Sequence, residues 1–292
     1  MSTVALAPAA ALTVLSLTLA WRPPSLHPAW SARVLVVLST TTALTVSTTV
    51  AFIAAVFIAG QLPAEAVAAT SQGRLLLEHA PIPAYPGLLA IALLAVGAFC
   101  TIRLAYRWWR DLQTVRQHTS GISDHDQPIA MAVPGHHGGV LVSRGLLRLL
   151  TREQLQVVFR HEHAHLRHRH HLYGSVSAFA ASIFPPLAWV HRSVRLALER
   201  WADEDAAATV GDRTLVAHTI AQVALASPKS STSWHPALAN SHVVQRVEAL
   251  LSDAPSTNRV AGPALLSGAG VATSGVTSSA FQLNHVFLLL VL

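Results

Sequence analysis

The sequence predicts a mainly α, multi-span helical membrane protein with a polar α+β domain in its middle, and three observations predict it. Only 12% of the 292 residues are charged, against about a quarter in an ordinary soluble domain. The 20 basic and 14 acidic residues are unevenly placed: five precede Arg103, 29 lie from Arg103 to Arg259, and none follow. Uncharged stretches rich in Ala, Leu, Val and Thr fill the two ends, and about 20 such residues cross the hydrocarbon of a bilayer as a helix.

Ser2–Trp21 is the first predicted span, and the lack of Lys or Arg ahead of it argues against a cleaved signal peptide. Val34–Gly60 is the second and Ile82–Ile102 the third, the latter followed by Arg103, Arg107, Arg110 and Arg116. These three make an N-terminal membrane unit over residues 1–102. The connector carrying Arg22 and Arg33 holds no acid, whereas Gln61–Pro81 holds Glu65, Arg74 and Glu78. The positive-inside rule therefore predicts a multi-pass cell-membrane protein with its N-terminus outside and residues 103–259 in the cytoplasm. Residues 260–292 predict one C-terminal transmembrane segment, strongly apolar only over Ala280–Leu292.

Within the cytoplasmic domain, Ile129–Val133 and Gly139–Ser143 are short apolar stretches around Pro134 and Gly135, a strand and turn signal. Gly145–Leu150 reads as a first helix. Thr151 to Gln154 form a capping-box pattern that starts a second helix running toward His171. Leu172–Val190 is uncharged but interrupted by Pro185 and Pro186. It predicts a hydrophobic, membrane-contacting or buried helix at 172–190 rather than a full crossing, because the segments on its two sides must meet at one site. A further helix over Ser193–Thr209 stops at Gly211, and another spans Val243–Leu251.

The helix begun at Thr151 contains His161, Glu162, His163, Ala164 and His165, an HExxH pattern. One helical turn separates His161 from His165, so both imidazoles reach one tetrahedral metal and Glu162 sits beside them as a general base. The single cysteine, Cys100, excludes a disulfide framework and any CxxC site. The metal must then be held by His and carboxylate, with Zn2+ the predicted cofactor. Glu199 is the most plausible third ligand, since a His2Glu set leaves the fourth position open. Asp203, one turn later, is placed to accept the second ring N–H of a ligating histidine; a solvated acidic face shared with Glu204 and Asp205 is the competing reading. His163, His168, His170 and His171 suggest an extra metal site only by composition, and His136 and His137 read as loop. His235, His242 and Arg246 are candidates for binding substrate or stabilising an oxyanion.

With those residues in place, the chain resembles the BlaR/MecR-type membrane metallopeptidases and, more distantly, the HtpX and CAAX-prenyl proteases. The resemblance rests on GGVLVSRGLLRLLTREQLQVVFRHEHAHLRHRHHL, ERWADEDAA and QRVEALL, over Arg103–Asp253. It implies a zincin-like metallopeptidase domain, His161, His165 and Glu199 as ligands, Glu162 as catalytic base, and a site near the cytoplasmic membrane surface. The chain departs from β-lactam sensors of that family: it reads as a short member without the penicillin-binding domain. Its only lysine, Lys229, follows Ala226 where an S-x-x-K motif needs serine.

The function expected is a zinc-dependent endopeptidase acting on protein or peptide substrates at the cytoplasmic membrane face in regulated signalling, with a transcriptional repressor as the family-level substrate. Membrane lipid is an expected partner and nucleic acid is not, because the net charge of +6 comes from arginines that flank the apolar runs. Three alternatives stay open: membrane-protein quality control, a metal-responsive membrane protein without catalysis, and a purely structural membrane anchor that binds no metal.

Overall fold

The structure, a computed structural model, describes residues 6–23, 25–69, 71–78, 82–115, 121–133, 139–226, 236–255 and 261–268. The predicted segment Ala280–Leu292, His136, His137 and His235 lie outside these residues.

Among the described residues, two helices are long and apolar enough to cross a membrane, Pro28–Ala59 and Ala84–Arg110. The first is all of α2 (Pro28–Ala59), and the second is the larger part of α5 (Ala84–Val115). Pro28 starts α2 because a proline at the first helical position forfeits no intrahelical hydrogen bond, and the His27 ring accepts from the Ala29 N–H at 3.3 Å. The threonines of α2 are tolerated in an apolar helix because their hydroxyls donate back one turn, as Thr40 does to Val36 O and Thr41 to Val37 O, each at 2.8 Å. α1 (Ala7–Trp21) is apolar but has only 15 residues. It is tied to α2 by a buried hydroxyl pair, Ser16 Oγ to Thr42 Oγ1 at 2.8 Å. Short helices α3 (Ala64–Ala68) and α4 (Ser71–Glu78) occupy the connector before α5. α5 continues 13 residues past the predicted end of the span at Ile102, since arginines end a membrane segment without ending a helix.

The segment at 172–190 is two helices. α8 (His170–Ile183) ends at Phe184, a single 3-10 turn covers Pro185–Leu187, and α9 (Ala188–Val210) returns. Pro185 has no N–H to continue α8 but fits the first position of the next turn. The hairpin lies against α2 and α5. Thr101 and Ser182 share a hydrogen bond of 3.1 Å, and Trp108 meets Phe179 edge-on at 4.6 Å. Gly97 permits this approach, because a Cβ there would stand 3.1 Å from the Ile183 carbonyl oxygen. One apolar core runs through α2, α8 and α9, with Leu187, Val190 and Val194 fully buried in it.

The polar layer carries a three-stranded sheet in the order β1-β3-β2, with β1 (Gly121–Ser123) parallel and β2 (Ala130–Val133) antiparallel to β3 (Gly139–Ser143). The Ser143 hydroxyl accepts from the N–H groups of Ile129 and Leu146 and donates to the Gln127 carbonyl, locking strand, loop and helix at one point. After α6 (Arg144–Leu149), α7 (Arg152–Arg167) starts at the predicted capping box: Thr151 Oγ1 accepts from Gln154 N and Gln154 Oε1 from Thr151 N. α7 stops short of His171 at His168 and Arg169. Arg169 adopts a left-handed backbone (φ 53) that turns the chain into α8. α10 (Arg213–Ala226) and α11 (Pro236–Leu251) cover the far side of α7 and α9, around buried Val157, Ala206, Val216 and Leu250.

Candidate metal centre

α7 is amphipathic: Val157 and Ala164 pack inward while His161, Glu162 and His165 line its edge toward α9 and β2. Their ring atoms converge, with Nε2 of His161 and Nε2 of His165 3.1 Å apart. Glu199 on α9 brings Oε2 to 3.6 Å from His161 Nε2 and Oε1 to 3.8 Å from His165 Nε2. Two ligand atoms about 2.0–2.1 Å from a tetrahedral zinc lie roughly 3.3 Å apart. The two nitrogens and the carboxylate therefore need only a few tenths of an ångström of adjustment to close on one ion, and among the described residues this is the cluster able to do so.

A layer of charge stands behind these atoms. Asp203, 1% exposed, lies 2.9 Å from Nδ1 of His161, although the N–H direction misses a well-aligned hydrogen bond. Arg246 on α11 grips Asp203 with two parallel hydrogen bonds, Nε to Oδ2 at 2.8 Å and Nη2 to Oδ1 at 2.7 Å. Its remaining nitrogen Nη1 reaches Glu199 Oε2 at 3.0 Å. On the other histidine, Nδ1 of His165 faces Nδ1 of His170 at 2.9 Å.

The electrostatics follow from burial set against these partners. Burial alone would disfavour the protonated His161 ring, but Asp203 and Glu199 outweigh it and hold the group at about 9. His165 goes the other way, to about 4, through burial and the neighbouring His161 charge. Burial acts against ionised Glu199, yet His161 and Arg246 hold its carboxyl well below the usual carboxylate range. Asp203 is likewise lowered, with Arg246 and His161 overcoming burial. Glu162 is the exception: burial raises it, only partly opposed by His161 and by the Ala132 N–H that donates to its Oε2 at 2.8 Å. A partly buried carboxylate of raised pKa beside a cluster able to hold a metal is suited to accept a proton from water.

Two cavities meet at His161, Glu162 and Glu199. One, of about 570 Å³, is of mixed character and includes Trp108, His171, His191 and Arg195; the other, of about 390 Å³, is mostly apolar and includes Ile129, Val216 and Val223.

Residues 110–222 match the peptidase family M48. That stretch holds the strands, both histidines and Glu199. A protease HtpX homolog of Thermodesulfovibrio yellowstonii is 41% identical over 69 residues, which is 23% of this chain and 24% of that protein. The chain thus spans about a quarter of the length of the curated relative it matches. No solved structure matches the chain. Together with the apolar helices, these similarities support a membrane metallopeptidase of the M48 kind.

The structure brings His161, Glu162, His165, Glu199 and Asp203 together. Arg246 joins them, committed to two carboxylates, while His242 on the same helix lines a different cavity. His163 lies on the outer side of α7, and His168 stacks on Trp201 at 4.6 Å. Three contributors were missed in the sequence. His170 sits in a histidine-rich tract whose composition does not set it apart from its neighbours. His191 and Arg195 stand two turns and one turn before Glu199 on α9, and that i, i+4, i+8 spacing was the signal available for them.

Proposed function

We propose that the protein is an integral-membrane, zinc-dependent endopeptidase that hydrolyses peptide bonds at the cytoplasmic membrane face. The observation that carries this reading is the pair of Nε2 atoms 3.1 Å apart facing the Glu199 carboxylate, with half-buried Glu162 alongside. His161, His165 and Glu199 would hold the zinc. Such an ion supplies a Lewis acid for the scissile carbonyl and makes water more acidic. Glu162 accepts the proton of the attacking water on its carboxylate and returns it to the leaving amine. Arg246 balances the charge of Glu199 and Asp203, and so keeps two carboxylates ionised in a low-dielectric wall.

The substrate would enter as an extended strand. β2 is an edge strand, and Ala132 N–H points away from β3 toward Glu162, so the open edge of β2 runs along the centre. A peptide added there finds backbone partners on β2, with the apolar cavity on one side of the scissile bond and the histidine- and arginine-lined cleft on the other. Arg22 and Arg33 at one end of α2, and Arg103, Arg107 and Arg110 at the corresponding end of α5, support the cytoplasmic orientation.

We assign the physiological role to regulated signalling of the BlaR/MecR type, with a transcriptional repressor as the substrate class; quality control of membrane proteins is the second reading, favoured by the HtpX similarity. One experiment tests both. New protein N-termini are compared in cells expressing the wild type and Glu162→Gln at matched membrane levels. A few termini unique to the wild type support signalling, many scattered termini support quality control, and no difference together with zinc-loaded but inactive purified protein overturns the peptidase reading.

A further inference from the structure

A cavity of about 940 Å³ lies on the face of α9 turned away from the metal centre. Its walls are the α1–α2 connector, one stripe of α9 and one stripe of α11. The α9 stripe brings Arg192 and Arg200, and the α11 side brings Glu248 and Asp253. Nε of Arg200 is buried and has no hydrogen-bond partner among the described residues, which leaves a donor with unmet demand. Exposed Trp21 and Trp189 stand at the rim, the amphipathic side chains that settle at a membrane–water boundary.

A second cavity of about 250 Å³ adjoins the first, sharing Pro23, Leu26, Ser31 and Leu35 with it. Its remaining walls are almost wholly apolar, with Leu15, Leu19 and Leu38 running up α1 and α2 into the membrane segment. A chamber whose lining includes two cations and two acids thus adjoins an almost wholly apolar slot.

We propose that this pair of chambers binds one glycerophospholipid with a zwitterionic, phosphate and primary-ammonium headgroup. The phosphate lies among Arg192 and Arg200, where guanidinium donors match its oxygens. The ammonium faces Glu248 and Asp253, and an acyl chain fills the slot beside Leu15 and Leu38. Equal numbers of cations and acids argue for a zwitterion over a purely anionic lipid, and N–H donors facing two carboxylates argue for a primary amine over a choline. The site adjoins the metal centre through the chain itself: Arg200 follows Glu199 on α9, and Gln245, another wall residue, precedes Arg246 on α11. A bound lipid therefore holds together the two helices that carry the third ligand and its arginine. The proposal rests on the membrane reading and is independent of peptide hydrolysis.

The test uses the full chain carrying Glu162→Gln, exchanged into nanodiscs of phosphatidylethanolamine, phosphatidylcholine or phosphatidylglycerol, with retained lipid counted by native mass spectrometry. One phosphatidylethanolamine per chain, kept about tenfold better than the other two, is the expected result. R192Q combined with R200Q lowers retention about tenfold or more at unchanged circular dichroism and elution volume. Leu15→Trp, which plugs the slot from a partly exposed position, lowers retention while keeping the headgroup order. Equal retention by the double arginine variant, or preference for phosphatidylglycerol, overturns the headgroup assignment. Displacement of the lipid by equal concentrations of phosphoethanolamine or inorganic phosphate, which have no chains, overturns the acyl slot. None of these readings changes if Glu162 turns out not to catalyse.

Discussion

Nδ1 of His170 lies 2.9 Å from Nδ1 of His165, so one of the two histidines in the metal cluster is backed by another histidine instead of a carboxylate. When Nε2 of His165 faces a metal, its Nδ1 carries the proton and donates, so His170 must accept at Nδ1 and be neutral. Its surroundings enforce that state: burial, then the nearby His165 and His168, push His170 down to about 3.

A neutral acceptor is therefore what position 170 supplies. His170→Ala is expected to weaken zinc affinity about 10–100-fold by freeing the His165 ring, whereas His170→Asn, which keeps a short acceptor, should recover much of the loss. Chelator competition measures both, and equal melting temperatures of the metal-free variants separate positioning from folding. Unchanged affinity in the alanine variant would refute the role.

Arg169 delivers His170 to that place through its left-handed backbone. A left-handed conformation costs a non-glycine residue about 1–2 kcal/mol, and glycine gives back about 0.5–1 kcal/mol of that in chain entropy. Arg169→Gly should thus be neutral or stabilise by up to about 1.5 kcal/mol, while Arg169→Val should destabilise by about 1–3 kcal/mol and loosen zinc with it. Thermal unfolding with and without metal distinguishes these outcomes; a destabilised glycine variant would contradict the backbone argument.

The break before His170 also marks the limit of what was legible in the residues. Periodicity and end signals were readable wherever they were local: apolar length for α2 and α5, the Thr151 capping box, one-turn spacing of His161 and His165, and Gly211 in its left-handed cap at φ 81. Nothing local announces the turn at His168 and Arg169, because neither glycine nor proline is there. β1 is three residues long and α10 has no strong amphipathic stripe, so neither stood out. The prolines at 185 and 186 signalled an interruption, but the resulting hairpin depends on α2 and α5 packing against it. Arg246 was visible as a candidate, yet its double grip on Asp203 joins residues 43 apart and is a property of the packed helices.

That grip carries its own prediction. Asp203 is almost wholly buried, and removing Arg246 takes away its two parallel hydrogen bonds, leaving the His161 ring at 2.9 Å as partial compensation. Arg246→Gln should destabilise the metal-free protein by about 3 kcal/mol. Arg246→Lys keeps the charge but loses the planar fork and should recover only part. Denaturant titration of the metal-free forms reads the difference, and a glutamine variant as stable as the wild type would show that Arg246 does not offset the carboxylates.

The strand edge is open to the most direct test. Ala132 N–H holds Glu162 Oε2 at 2.8 Å and points along the path assigned to the substrate. Proline at this position has no N–H and cannot pair with a chain added outside β2. Its pairing with β3 is less affected, since the outward N–H is not the one used there. Ala132→Pro is expected to lower kcat/KM about tenfold or more, since it removes both the N–H that holds the Glu162 carboxylate and a donor to the added chain, at unchanged zinc content. Ala132→Ser, which keeps the N–H, should stay near wild type. Peptide hydrolysis at wild-type efficiency by the proline variant would remove β2 from substrate binding and leave the two cavities alone to orient the chain.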